Sequence, residues 1–324
     1  MRLKLLLTTT IAPVTMPTRV ARTALAALLL GVIAPLPAQT PTTTTARACT
    51  APAPAACRYT KGLLWKIERG GNKPSYLFGT IHISDPRVTN LPAPVRDAFN
   101  AAASFTMELI FDGAGITHLA EIMFFNDGRT LEGAIGAKRY AEVQRLLAER
   151  GTPSTDLEKK KPWAVVMLLS APPQSGIALD LQLQVDATLR SKPTYGLETV
   201  QEQIAMFDGL AMADQVAMLD STLRHYRESQ KLFESIVQAY VARDLTRLMT
   251  LTEPPSTATA DDRRVHTTVM ERLLLSRNTR MVERMQPRLQ QGNAFIAVGA
   301  AHLAGERGIL PLLEQAGFRV TPIY

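Results

Sequence analysis

Apolar residues recur at every second position in some stretches of this chain and at every third or fourth in others, and the two periods lay out its elements. Residues 62–67 and 75–78 are short β-type runs flanking the Gly-Gly-Asn turn of 70–72, which predicts a hairpin. Residues 104–111 alternate strictly: Phe105, Met107, Leu109 and Phe111 share one face, and Glu108 points to the other between Thr106 and Ile110. Residues 193–198 are short and extended and end on Glu198. Residues 294–298 are apolar on both faces, as a strand covered from both sides requires. A last strand is predicted at 318–323. Helical periodicity fills most of the remainder, at 95–103, 117–150, 163–169, 179–190, 200–207, 212–230, 232–250, 264–285 and 309–316. The helix over 264–285 should end before Pro287. The closing strand–helix–strand unit predicts two parallel neighbours joined by a right-handed crossover. The expected class is a helix-rich α/β fold, a central mixed sheet with flanking helices and a large helical insertion over about 117–290.

The ends of the chain change this picture little. Residues 1–38 contain no acid, and a basic segment precedes the ten-residue apolar run 24–33, too short to span a bilayer comfortably. This reads as a cleaved secretory signal, with an uncleaved anchor as the alternative. Arg2, Lys4, Arg19 and Arg22 would leave with it, so the net charge of +7 falls to about +3. That balance, without a basic stripe interleaved with aromatics, gives no reason to expect nucleic acid. Residues 39–58 are a Thr/Pro/Ala-rich tether. Cys49 and Cys57, separated by seven residues, suit a local disulfide in an exported protein. Residues 59–324 are long enough for one large domain with a substantial core. No stable membrane span is expected after cleavage, and the protein should be periplasmic or extracellular.

With both cysteines in the tether, metal chemistry would have to come from His, Asp or Glu. Gly-x-x-His occurs twice, as Gly79-Thr80-Ile81-His82 and Gly299-Ala300-Ala301-His302, each time after an apolar strand-like run. In an open sheet such strand ends are where ligands collect. Two imidazoles with Glu108 and Glu198 form a mixed nitrogen–oxygen set suited to Zn, Mn, Co or Fe. A free position on such an ion makes water a nucleophile near neutral pH, and a carboxylate outside the shell can act as base. Each histidine could instead merely cap a turn. Glu108 inside an apolar strand needs a partner, which could be an arginine. Glu198 also suits a helix start. Arg277, Arg280 and Arg284 share a helix face, where Arg277 either stabilises an oxyanion or is simply solvated. His118, His225 and His266 have no partner pattern, and Asp85 and Arg87 are either supporting groups or loop polar residues. Neither His-Glu-x-x-His nor Gly-x-Ser-x-Gly nor a phosphate-binding glycine loop is present.

Leu64-Trp65-Lys66-Ile67, the segment 76–82, Thr106-Met107-Glu108-Leu109, Gly196-Leu197-Glu198-Thr199 with Gln203, Arg277-Asn278 with Met281, and 295–303 together resemble the TraB/PrgY/GumN family, related to the Tiki proteins. The resemblance covers about 59–324. It implies an α/β core shared with erythromycin-esterase and ChaN-like proteins, and a metal-dependent hydrolase acting on peptide or protein substrates. Under it His82 and His302 are metal ligands, Glu108 a ligand or catalytic carboxylate, and Glu198 and Arg277 supporting residues of the site. The alternative is a non-catalytic periplasmic protein that uses the same pocket to bind a metal, haem or a peptide.

Overall fold

A computed structural model describes residues 59–152, 156–172, 176–254 and 258–324. The expected signal, tether and cysteine pair lie outside the described residues. Six strands form one mixed sheet: β1 (Leu64–Glu68), β2 (Ser75–Thr80), β3 (Ser104–Leu109), β4 (Thr194–Glu198), β5 (Ala294–Gly299) and β6 (Arg319–Pro322). Their order is β4-β3-β5-β2-β1-β6. β1 and β2 form the expected antiparallel hairpin, with Leu64 opposite Phe78. β2, β5, β3 and β4 are mutually parallel. Their carboxyl ends therefore line one edge, the edge at which open α/β sheets collect ligands.

β5 lies at the centre, and all of Ala294–Val298 is buried. Phe295 meets Phe78, Phe99 and Phe105 there, with ring centroids 5.3–6.3 Å apart. One expectation about this region fails. β6 does not neighbour β5; it runs in the same direction but pairs antiparallel with β1 at the far edge. Both flanks of β5 are taken by longer parallel partners, β2 and β3. The edge of β1 is the place left for the chain's last strand.

Fourteen α-helices occur among the described residues. In order they are α1 (Pro86–Thr89), α2 (Ala93–Ala101), α3 (Gly113–Ile122), α4 (Leu131–Ile135), α5 (Ala137–Glu149), α6 (Pro162–Ser170) and α7 (Leu179–Leu189). After β4 come α8 (Val200–Asp208), α9 (Met212–Arg224), α10 (Tyr226–Val241), α11 (Leu245–Thr250), α12 (Ala260–Met270), α13 (Ser276–Gln291) and, beyond β5, α14 (Ile309–Gln315). α6 is buried from Pro162 through Leu169 and forms the axis of a second apolar cluster, next to the one that covers the sheet.

The long periodic runs are broken more often than their pattern predicts. Residues 117–150 become parts of three helices, with Gly136 at φ 82° between the last two. The runs at 212–230 and 232–250 re-divide at His225 and at 242–244, where Arg243 has φ 59°. The helix expected to stop before Pro287 continues to Gln291 and ends at Gly292, φ 73°. Proline removes one backbone donor, yet here the packed face Met281, Val282, Met285 and Leu289 holds the helix through it. At its other end α13 joins α12 through a wide π turn, Glu271–Leu275.

Candidate active site at the carboxyl edge of the parallel strands

The two Gly-x-x-His turns lie side by side because β2 and β5 pair in parallel with Thr80 opposite Gly299. Both glycines are required by close approach. A Cβ on Gly79 would sit 2.6 Å from Leu303 Cδ1 and 3.2 Å from Ala300 Cα, so the first turn packs directly on the second. A Cβ on Gly299 would meet Glu108 Oε1 at 3.2 Å, His302 Cδ2 at 3.5 Å and His82 Nε2 at 3.9 Å. Three of the expected site residues thus converge over one backbone atom. Tyr240 of α10 fastens the first turn from below, its hydroxyl donating to the Gly79 carbonyl at 2.8 Å.

Each imidazole is held by its Nδ1. His82 Nδ1 lies 2.6 Å from Asp180 Oδ2, and Thr80 Oγ1 donates to the other carboxylate oxygen at 2.6 Å. A carboxylate only accepts, so His82 Nδ1 carries a proton directed at Asp180. His302 Nδ1 lies 2.6 Å from Asn278 Oδ1, while Asn278 Nδ2 donates to the Arg307 carbonyl. The amide is thereby oriented with its oxygen toward the ring, so His302 Nδ1 donates to it and Nε2 faces Arg277 Nη1. This is the outer support that metal-binding histidines usually have.

Glu108, buried on β3, accepts from the Gly299 amide through Oε1 at 2.6 Å and from Arg277 Nη2 through Oε2 at 2.5 Å. Glu198, at the end of β4, accepts from Arg277 Nε and Nη2 at 2.9 and 2.7 Å and from Gln203 Nε2 at 3.2 Å, all through Oε2. Arg277 and Asn278, consecutive residues in the first turn of α13, are both buried toward the site. Its Nη1 donates to the Leu273 carbonyl in that turn and lies 3.3 Å from His302 Nε2. Arg280 Nη2 stands 3.1 Å from Glu198 Oε1. Arg284 instead pairs with Glu202, itself part of the capping box that starts α8.

Burial alone would raise the Glu108 pKa, but the Arg277 guanidinium, helped by the Gly299 amide, outweighs it and holds the carboxyl at about 2. Burial pushes His302 down to about 3; Arg277 and His82 add to the shift, and Glu108 opposes it. His302 is therefore neutral at physiological pH. Both depressed pKa values act on stability in the same direction. The unfolded imidazole takes a proton near 6.5 and the folded one only near 3, so stability falls as pH drops through that window, at up to about 1.4 kcal/mol per pH unit. The contribution of Glu108 is present above 4.5 and is lost as pH falls toward 2. Denaturant midpoints of metal-free protein should thus decline from pH 6.5 downward, and His302→Asn should flatten the slope between 6.5 and 4.5. An unchanged slope in that variant would contradict the assignment.

The structure brings together all five residues singled out in the sequence: His82, Glu108, Glu198, Arg277 and His302. It leaves the other candidates apart. Asp85 caps α1 and pairs with Arg87, which also holds Glu234 at the surface. His266 contacts the Thr252 carbonyl, and His225 lies 4.0 Å from Asp262. Asp180 was not singled out in advance. Its signal was an acid on the apolar stripe of α7, which also carries Leu183 and Ala187, all three buried.

The donor chemistry suits a divalent ion: two imidazoles whose Nδ1 atoms are held by Asp180 and Asn278, and an ionised carboxylate beside them. His302 Nε2 and Glu108 Oε1 are 3.7 Å apart, close to the roughly 3.4 Å between two donors on one tetrahedral ion. Among the described residues, however, no group of three or more His, Cys, Asp or Glu side chains stands close enough to hold a metal. Arg277 supplies the positive charge between Glu108 and His302 in this arrangement.

These features define an α/β protein with a histidine–carboxylate–arginine site at the carboxyl edge of four parallel strands. The chain belongs to the TraB/PrgY/gumN family, whose model matches residues 63–322. It is 25% identical over 310 residues to Metalloprotease TIKI2 of Danio rerio, covering 79% of this chain and 60% of that protein. It is 24% identical over 313 residues to Metalloprotease TIKI1 of Homo sapiens, covering 79% and 61%. To the Metalloprotease TIKI homolog of Nematostella vectensis it is 23% identical over 313 residues, covering 79% and 66%. The chain thus spans about 60% of the length of the first of these relatives. No solved structure matches the chain. Among the described residues no helix is long and apolar enough to cross a membrane.

Proposed function

We propose that this chain is an exported metal-dependent hydrolase that cleaves peptide bonds, with His82 and His302 binding a divalent ion through Nε2 and Glu108 completing the donor set. The observation that carries this reading is the convergence of His82 Nε2, Glu108 Oε1 and the His302 ring over Gly299. The metalloprotease names of the relatives support it. A bound Zn, Mn, Co or Fe ion would supply Lewis acidity toward a carbonyl oxygen.

The chain's own residues divide the remaining work. Asp180 and Asn278 fix the two rings and their tautomers. Arg277 places a buried positive charge where it can stabilise an oxygen that gains negative charge. Glu198 and Gln203 hold Arg277 in place. A carboxyl held at about 2 is far from the neutral range that suits a general base. While Arg277 stays on it, Glu108 is therefore an anionic donor rather than a proton acceptor.

The deciding experiment is cleavage of a peptide library by the purified protein, with and without a chelator. Cleavage should vanish with the chelator and return with one of the four metals. Cleavage that ignores the chelator would refute the metal reading. Saturating metal binding without cleavage of any peptide would favour the non-catalytic binding protein. Asp180→Asn should lower metal affinity about 10–100-fold, the usual effect of losing an outer-sphere carboxylate, while the fold is retained. Equilibrium dialysis of the variant checks this, and unchanged affinity would remove Asp180 from the site.

A further inference from the structure

The His302 lone pair that a metal ion would use is already engaged by a cation of the protein itself, which also holds the second oxygen of the candidate ligand Glu108. Arg277 Nη1 lies 3.3 Å from His302 Nε2, and Nη2 lies 2.5 Å from Glu108 Oε2. His302 has given its Nδ1–H to Asn278, so Nε2 is its only remaining donor atom for a metal. The same guanidinium also rests on Glu198, where Nε and Nη2 both bond to one oxygen, Oε2. The other oxygen, Oε1, is buried and accepts no hydrogen bond. Its contact with Arg280 Nη2 at 3.1 Å lacks hydrogen-bond geometry. Beside Arg277 there is thus a buried carboxylate oxygen whose hydrogen-bonding capacity is unused. A buried acceptor left in this state is costly, and a parallel two-bond pair between arginine and carboxylate would relieve it.

We propose that Arg277 and the divalent ion compete for the same donors. The guanidinium holds His302 Nε2 and Glu108 Oε2 in the structure. Metal loading shifts it onto both oxygens of Glu198, which frees Glu108 and His302 for the ion and leaves the arginine at the edge of the site. Glu198 is then a positioning residue, the second seat of Arg277. The inference rests on the reading of His82 and His302 as metal ligands.

The test is titration of the full chain with Co²⁺, followed by its visible d–d absorption and checked by calorimetry. Arg277→Met should bind Co²⁺ at least about tenfold more tightly than wild type, the scale of one charge-assisted hydrogen bond. Arg277→Lys should also bind more tightly, because an ammonium on a flexible stem cannot cover His302, Glu108 and Glu198 together. Glu198→Gln should bind about tenfold more weakly, since the arginine loses its alternative seat. Unchanged or weaker binding in Arg277→Met would overturn the proposal. So would tighter binding in Arg277→Met with wild-type affinity in Arg277→Lys, which would mean that net charge alone matters. If neither arginine variant folds, Glu198→Gln decides: wild-type affinity there overturns competition. Wild-type Co²⁺ binding by His82→Ala/His302→Ala would overturn the metal-ligand reading itself, and the inference with it. Loss of binding in that variant with no change in the arginine variants would overturn only the inference.

Discussion

Alanine at both His82 and His302 should abolish tight divalent-metal binding and lower any peptide cleavage by about 10³-fold or more. Metal ions stabilise transition-state charge by several kcal/mol, and each 1.4 kcal/mol is a factor of ten. Losing both imidazoles removes the two imidazole donors that converge over Gly299. The substitution also has a structural side. Asp180 would keep Thr80 as a partner but lose His82, and Asn278 would keep its bond to the Arg307 carbonyl but lose His302. Circular dichroism must therefore show a folded variant before its metal content is read. His82→Gln/His302→Gln, which keeps more of the volume, is the companion. Full metal retention in a folded double variant would mean that the ion, if any, binds elsewhere.

The largest stability effect is expected for Glu198→Ala, about 3–5 kcal/mol. Glu198 is 5% exposed, and it faces Arg277, itself 3% exposed. Removing one partner of such a pair leaves a charge in a medium that solvates it poorly, and that penalty is the main cost. Glu108 remains to neutralise Arg277, which places the effect toward the lower end of the range. For a domain whose total stability is on the order of 5–15 kcal/mol, this is a large fraction. Denaturant unfolding at pH 7 measures it. Arg277→Met should cost a comparable amount, because it strands two carboxylates. The double variant Glu198→Ala/Arg277→Met should be clearly less destabilised than the two single effects added together, since residues in one charge network do not act independently. Simple additivity would show that the two side chains are not coupled as their 2.7 Å contact requires.

Much of this site was legible in the sequence because its chemistry is tied to strand ends. Gly79, Gly299, Glu108 and Glu198 all lie on strands whose alternation or apolar run is plain, and the histidines follow at a fixed spacing. A residue at the end of a strand has its place set once the sheet is parallel. Asp180 was harder, because its role depends on which strand α7 covers, a long-range fact with no local trace beyond one acid on an apolar stripe. The continuation of α13 past Pro287 was misread for a similar reason. Local rules weigh the lost backbone bond, whereas the buried side chains of the helix outweigh it.

The sequence by itself determined the helix-rich α/β class, the hairpin, the central apolar strand and the five residues that meet at the site. Most follow from periodicity and from residue types placed at strand ends, which are local properties of the chain; Arg277, on a helix, and the role of Glu198 came from the resemblance to the family. Only the tertiary structure decided that β6 closes the far edge beside β1, because strand order depends on which flanks the other strands have filled. Tertiary contacts also decided what each charged group does. Glu108 lies between the Gly299 amide and Arg277, and Arg277 sits between two carboxylates and an imidazole. Burial and partners set the charge state of a side chain and the use of its lone pairs, and both come from residues distant along the chain.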